Sequence, residues 1–293
     1  MADGILLLDK PQGFTSFDVI AKLRGMSRQR KIGHAGTLDP MATGVLPCLF
    51  GSATRLCDVL PCEEKTYFAA VQFGICTDTQ DITGAVLSTS DRAVDKEALE
   101  AVLPAFRGEI MQLPPMYSAV SVGGKRLYDL ARQGKEIERP ARRITIHALT
   151  LVSFDTDRRI AEFSVTCSKG SYVRTLFHDI GQALGCGATL LALRRTASNG
   201  FMIGDCITME EAQRLTDAGA LLDRLLPVWA AFTTLPRFEA GEWQGKMLSN
   251  GVALSLQKLG NPPPGQYAVW QGGEFLGLGT VDPGADGMRL KRF

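Results

Sequence analysis

One carboxylate stands in the loop Gly33-His34-Ala35-Gly36-Thr37-Leu38-Asp39-Pro40-Met41-Ala42-Thr43-Gly44-Val45-Leu46. Its companions are glycines, small polar residues and a proline. Glycine lets a backbone take positive φ and lets another molecule approach closely. Pro40 restricts the residue before it, which is Asp39 itself. A lone acid held in that way suits a reacting group better than a solvating one. Local composition alone, however, favours an ordinary Asp-Pro turn.

The rest of the chain limits what that acid could serve. Three histidines (His34, His147, His178) lie far apart, and seven cysteines (Cys48, Cys57, Cys62, Cys76, Cys167, Cys186, Cys206) are scattered without a C-x-x-C pair. A zinc site needs closely spaced ligand pairs, so no metal is implied. Buried free thiols in a reducing compartment are the expectation. With no apolar run long enough to span a bilayer and no signal-peptide pattern at Met1-Ala2-Asp3-Gly4, a cytoplasmic protein without membrane contact is expected. The formal net charge of +1 does not announce a nucleic-acid binder, but charge is local. Between Gly123 and Arg143 lie seven basic residues (Lys125, Arg126, Arg132, Lys135, Arg139, Arg142, Arg143) and three acids, a balance of +4. Arg24, Arg28, Arg30 and Lys31 form a second cluster just ahead of the Asp39 loop. A solvated face accounts for such runs; flanking a candidate active site, they also fit phosphate contacts that weaken as salt rises.

Several elements must position these groups. Gly4 to Asp9 reads as a short buried strand ended by the Lys10-Pro11-Gln12-Gly13 turn. Thr15 or Ser16 caps a helix with Phe17, Ile20 and Ala21 on one face. Tyr67–Phe73 is apolar and β-prone, a central strand. A helix starts near Asp95 with Leu99, Val102 and Phe106 on one side. Phe163, Val165 and Cys167 alternate with polar residues, the period of a half-buried strand. A helix follows from Arg174 towards Gly185, with Leu176, Ile180 and Leu184 inward, and Thr208-Met209-Glu210-Glu211 opens another with capping-box spacing. Strands and helices mix without regular βαβ alternation, so the fold class is α+β with a largely antiparallel sheet. Val120–Tyr128 is a hairpin candidate around Gly123-Gly124. Past Leu235 glycine, proline and short strands dominate, including a Gln271-Gly272-Gly273-Glu274 turn, and a small closed or partly closed sheet is the economical reading.

As a whole word, the Asp39 loop closely resembles the catalytic motif of the TruB family of tRNA pseudouridine synthases, which act on uridine 55 of the T-loop. Other motifs are similar in the expected order: Leu8-Asp9-Lys10-Pro11-Gln12-Gly13, Lys65-Thr66-Tyr67, Ser168-Lys169-Gly170-Ser171-Tyr172-Val173-Arg174-Thr175-Leu176 and Leu193-Arg194-Arg195. The resemblance implies a mixed sheet with a cleft across its middle and flanking helices over 1–232. It also implies an RNA-gripping insertion around 108–143 and a PUA-like RNA-binding domain over 233–293. It implies Asp39 as nucleophile, Arg174 as its ion-pair partner through a bidentate fork, and Tyr67 stacking on the base with its hydroxyl a candidate to accept the C5 proton. Tyr172 and Leu193 would line the uracil pocket, His34 would fill the space left by the flipped nucleotide, and Lys10 and Pro11 would support the cleft floor. Arg28, Arg30, Lys31, Lys125, Arg126, Arg132, Arg142 and Arg143 would touch RNA backbone. Thr37, Met41 and Ser171 are mild departures from the family pattern, and none removes a reacting group. The retained insertion and the absence of a basic tail match the stand-alone enzymes better than their guide-RNA-dependent relatives. The implied substrate is the tRNA T-stem-loop, handled by a monomer without cofactor. Two rivals are a tRNA-folding factor, which needs the basic surfaces but not Asp39, and a phosphate-binding nucleotide enzyme. The second lacks both the G-x-G-x-x-G spacing and a P-loop lysine.

Overall fold

The elements are taken from a computed structural model that describes residues 2–57, 59–61 and 64–293; Cys62 lies outside the described residues. From the N-terminus come β1 (Gly4–Lys10), α1 (Ser16–Ser27), β2 (Ile32–His34), β3 (Thr43–Phe50), β4 (Lys65–Phe73), β5 (Ile75–Thr77), β6 (Val86–Thr89), α2 (Lys96–Val102) and β7 (Gly108–Gln112). The hairpin β8 (Ser121–Val122) and β9 (Lys125–Arg126) leads through α3 (Leu127–Ala131) to β10 (Arg142–Asp155), β11 (Ile160–Cys167), α4 (Val173–Ala183), β12 (Ala188–Ser198), β13 (Phe201–Met202) and α5 (Met209–Asp217). β14 (Arg237–Glu239), α6 (Glu242–Ser249), β15 (Leu254–Ser255), β16 (Gly265–Gln271), β17 (Glu274–Val281) and β18 (Gly287–Lys291) complete the chain.

Nine strands share one sheet in the order β1-β3-β12-β4-β11-β10-β7, with β2 beside β3 and β13 beside β12. Every pairing is antiparallel except the contact of β3 with β12, where Thr43 faces Arg194 and Gly44 faces Arg195. The expected mixed, largely antiparallel sheet is therefore present, and its one parallel seam lies at the root of the Asp39 loop. A side chain at Gly44 would put its Cβ 2.2 Å from the Arg195 carbonyl oxygen. Glycine is what lets these strands come together there. Phe163, Val165 and Cys167 point into the core, as their alternation requires, and Phe163 packs on Phe177 of α4 at 4.7 Å between ring centroids.

Three expectations need correction. In α1 the buried face is Ser16, Val19, Ile20 and Leu23; Phe17 is 62% exposed and sits under the Arg24 guanidinium, and Ala21 faces solvent. The helix capped by Asp95 stops at Val102 and continues to Phe106 only as a 3₁₀ turn, because Pro104 cannot sustain α-helical bonding. The ends of the expected insertion belong to the sheet, since Arg142 pairs with Gln112 and Arg143 with Met111, so only residues 113–141 leave it.

The last five strands form a second sheet, β14-β16-β17-β18-β15, open at both ends of that order. Its β16–β17 hairpin turns on Gly272 and Gly273, both at positive φ (56° and 85°), the requirement of a two-residue primed turn. It keeps its own core around Leu248, Tyr267, Val269 and Met288. It is also joined to the large sheet: Phe232 stacks on Phe275 and Phe293, each at 5.3 Å, within a cluster that includes Ile5 and Leu49. No helix among the described residues is long and apolar enough to cross a membrane.

Candidate active site

The Asp-Pro turn expected from local composition is present. The Ala42 N–H donates to the Asp39 carbonyl at 3.1 Å, so Asp39 opens a β-turn with Pro40 at its second position. The turn is gripped on both flanks. Ser16 Oγ accepts from the Leu38 N–H (2.9 Å) and donates to the Leu38 carbonyl (3.3 Å). On the other flank the Pro40 carbonyl accepts from the Gly13 N–H (2.8 Å) and from Lys10 Nζ (3.4 Å). Lys10 is fully buried and also donates to the Pro11 and Phe14 carbonyls. It is therefore a support beneath the loop, and its amine is taken up by backbone oxygens. Burial pulls its pKa down to about 8, with the Asp39 charge opposing.

Arg174, on the first turn of α4, brings its Nε to 3.3 Å from Asp39 Oδ2. The N–H is not aligned on that oxygen and makes no hydrogen bond, so the contact is an ion pair. The expected bidentate fork is not formed. Its terminal nitrogens go elsewhere: Nη1 donates to the Thr79 carbonyl at 3.2 Å and lies 3.9 Å from Asp81 Oδ2, and Nη2 donates to the Tyr117 carbonyl. The Asp39 side chain is 37% exposed, whereas those of Arg174 and Asp81 are each 5% exposed. Withdrawal from water pushes the Asp39 pKa up, Arg174 opposes this, and the like charge of Asp81 adds to the push.

Tyr67, on β4, is 6% exposed and shares a core cluster with Leu38, Met41, Val173 and Leu193, which come from four chain segments. Burial raises its phenol pKa, with the nearby Arg195 guanidinium pulling the other way. Leu193 lies opposite Ala69 on β4. Tyr172 precedes α4, its ring 5.9 Å from the Arg174 guanidinium carbon. His34 ends β2, with a buried Nδ1 that has no partner and a pKa lowered by burial and then by Arg195.

Not everything that is near in sequence is near in space. Ile32 pairs with Phe50, at the end of β3 away from Thr43. At about 3.3 Å per residue this puts exposed Arg28, Arg30 and Lys31 on the order of 20 Å from the root of the Asp39 loop. They flank the site in sequence only. Lys125 and Arg126 sit exposed on the β8–β9 hairpin, and Arg132 follows on the same excursion. Arg142 and Arg143 are exposed at the start of β10, with Arg143 3.5 Å from Glu109.

Sequence reasoning missed four groups. Asp81 holds Arg174 from the far side and accepts from the Thr79 and Thr83 hydroxyls. An Asp with Thr two residues to either side reads as a turn, so no local signal marked it. Gln112 clamps Tyr172 by accepting its N–H (2.8 Å) and donating to its carbonyl (3.0 Å), 60 residues away. Ser16 and Arg195 are the others. Of the cysteines, Cys48, Cys76, Cys167 and Cys186 are buried thiols and Cys57 and Cys206 half-buried ones. No cluster of three or more His, Cys, Asp or Glu stands ready for a metal among the described residues. A separate cavity of about 470 Å³ among Leu7, Phe201, Asp205, Cys206, Asp223 and Arg224 contains none of the groups around Asp39.

The fold has counterparts. A chain in the crystal structure of a Cbf5-Nop10-Gar1 complex superposes with a TM-score of 0.77 at 25% identity, over 99% of this chain and 84% of that one. In sequence, the chain is 45% identical to a tRNA pseudouridine synthase B of Azoarcus sp. (strain BH72), over 100% of this chain and 95% of the relative. It is 43% identical to that of Dechloromonas aromatica (strain RCB), over 98% and 93% respectively. Residues 24–173 match the model of the TruB family pseudouridylate synthase N-terminal domain, and 174–233 that of the tRNA pseudouridylate synthase B C-terminal domain. The chain belongs to the TruB family of pseudouridylate synthases.

Proposed function

We propose that this protein isomerises uridine 55 in the T-loop of tRNA to pseudouridine, with Asp39 as nucleophile. The observation that carries the reading is a carboxylate on a turn whose backbone is gripped on both flanks, held 3.3 Å from a buried guanidinium, inside the stretch that matches the family. The target base must first leave its stack, at a cost of a few kcal/mol. His34 fills the vacated space, while Tyr67 stacks on the everted uracil and Leu193 and Tyr172 enclose it.

Ionised Asp39 then attacks, at C1′ or at C6 of the ring, and the C1′–N1 bond breaks. Arg174 keeps the carboxylate charged in a site that would otherwise neutralise it. Burial favours the protonated phenol of Tyr67, which supports stacking and weighs against Tyr67 as the base for the C5 proton. The net change is a rearrangement that needs no redox partner or cofactor. Residues 113–141, with Lys125, Arg126 and Arg132, grip the T-stem, and 233–293 acts as a PUA-like RNA-binding unit. Free buried thiols support a reducing, cytoplasmic setting.

Asp39→Asn tests the reading. Tritium release from C5-labelled tRNA should fall to background while filter binding of tRNA stays near wild type. Wild-type protein that releases no tritium, yet promotes tRNA folding with or without Asp39, would replace this reading with the folding-factor one.

A further inference from the structure

Arg195 is a fully buried cation, at 0% exposure, with no carboxylate within 4 Å among the described residues. Its Nε donates to the Val45 carbonyl (2.7 Å) and its Nη2 to the Gly36 carbonyl (2.9 Å), so it ties together the two limbs of the Asp39 loop. Its Nη1 is buried with no acceptor aligned on it. Proteins seldom take a charge out of water without a counter-ion, since doing so costs several kcal/mol. Arg195 stands directly opposite Tyr67 in the β12–β4 pair, and its guanidinium reaches the neighbourhood of the Tyr67 hydroxyl. Its field also bears on His34 and Lys10, which are not anions. The wall behind the stacking ring thus holds a positive charge that no carboxylate touches among the described residues, while the Asp39 charge also bears on Tyr67.

The isomerisation supplies an anion at this place. When C1′–N1 breaks, its electron pair leaves with the base and spreads onto O2 and O4. The pair returns when C5 bonds to C1′; C5 then loses a proton, N1 gains one, and no electrons are exchanged with any partner. We propose that Arg195 is the built-in counter-charge for the detached uracil, acting through Tyr67 as a positioning residue. This rests on the reading of Asp39 and Tyr67 given above. A buried charge needs no reorganisation when the anion forms, which is where electrostatic stabilisation is strongest.

Single-turnover rates of Arg195→Met and Arg195→Lys on tRNA carrying uridine or 5-fluorouridine at the target test it. Fluorine stabilises the departing anion, so that substrate relies less on protein charge. Arg195→Met should slow loss of the uridine by about a hundredfold and of 5-fluorouridine by only about tenfold. Arg195→Lys, which keeps the charge and loses the fork, should slow both by one common factor. Thermal melting checks folding. If the Met variant does not fold, Arg195→Gln, which restores a donor without the charge, carries the same comparison. Equal slowing of both substrates by the uncharged variant would make Arg195 a scaffold only and overturn the inference. Failure of wild-type protein to convert uridine would instead overturn the proposed function.

Discussion

Ser16→Ala isolates the grip on the Asp39 turn. The substitution removes one oxygen, which accepts from Leu38 N–H at 2.9 Å and donates to Leu38 C=O at 3.3 Å. Ser16 is 2% and Leu38 4% exposed, so water does not readily replace the missing hydroxyl. Leaving a buried backbone group unsatisfied costs about 1–3 kcal/mol. A destabilisation of about 2 kcal/mol corresponds to a fall in melting temperature of about 5 °C. The Pro40 side of the turn keeps its bonds from Gly13 and Lys10, so the loop stays tethered at one end and Asp39 loses definition rather than place. A misplacement of about 1 Å lowers turnover by up to a hundredfold. Single-turnover tritium release should therefore fall tenfold or more, as an order of magnitude, while the tRNA dissociation constant holds, and Ser16→Thr should recover most of the rate. A variant that melts lower but reacts at the wild-type rate would refute the positioning role. It would show that Ser16 merely fastens α1 to the sheet.

Three further outcomes are expected. Because burial raises the Asp39 pKa, the folded state favours the protonated acid: this carboxylate adds stability below its unfolded value near 3.8 and loses it as pH rises through the raised folded value. Asp39→Asn should thus be inactive yet melt no lower than wild type at pH 7, and the wild-type rate should fall on the acid side at a pH above the ordinary carboxylate value. A marked drop in the melting temperature of Asp39→Asn would contradict that sign. Asp81→Ala leaves Arg174 without its buried carboxylate and should cost about 3 kcal/mol in a urea melt, together with a loss of turnover; activity equal to wild type would show that Asp39 alone orients the arginine. Lys125→Ala with Arg126→Ala should weaken tRNA binding and reduce the slope of log affinity against log salt by about one for each phosphate that the variant no longer neutralises, whereas Arg28→Ala with Arg30→Ala should do so less. Equal effects would place the distal cluster on the RNA path.

Local features of the fold were legible because their causes are local. Gly272-Gly273 and Gly123-Gly124 turn where two successive positive φ values are needed. The alternation of Phe163, Val165 and Cys167 sets one face inward whatever lies opposite. Asp95 caps the helix it precedes, accepting from Ala98 N–H at 2.7 Å. The Phe17 face failed because α1 carries two overlapping apolar stripes. The sheet takes the one led by Ser16, whose hydroxyl has a buried task, and leaves Phe17 to the Arg24 guanidinium.

Asp39 could be found from sequence because the turn that presents it is one contiguous word that resembles the family motif; Pro40 and the glycines alone read as an ordinary turn. The contacts that surround that carboxylate were decided only by tertiary structure. Arg174 reaches it from a helix more than a hundred residues away, Asp81 and the Tyr117 carbonyl hold the arginine, and Arg195 ties Gly36 to Val45 across the single parallel seam. Sequence spacing carries no record of such contacts. They arise when the sheet sets β3 against β12, and burial then compels each polar group to find the partner that the fold has brought near.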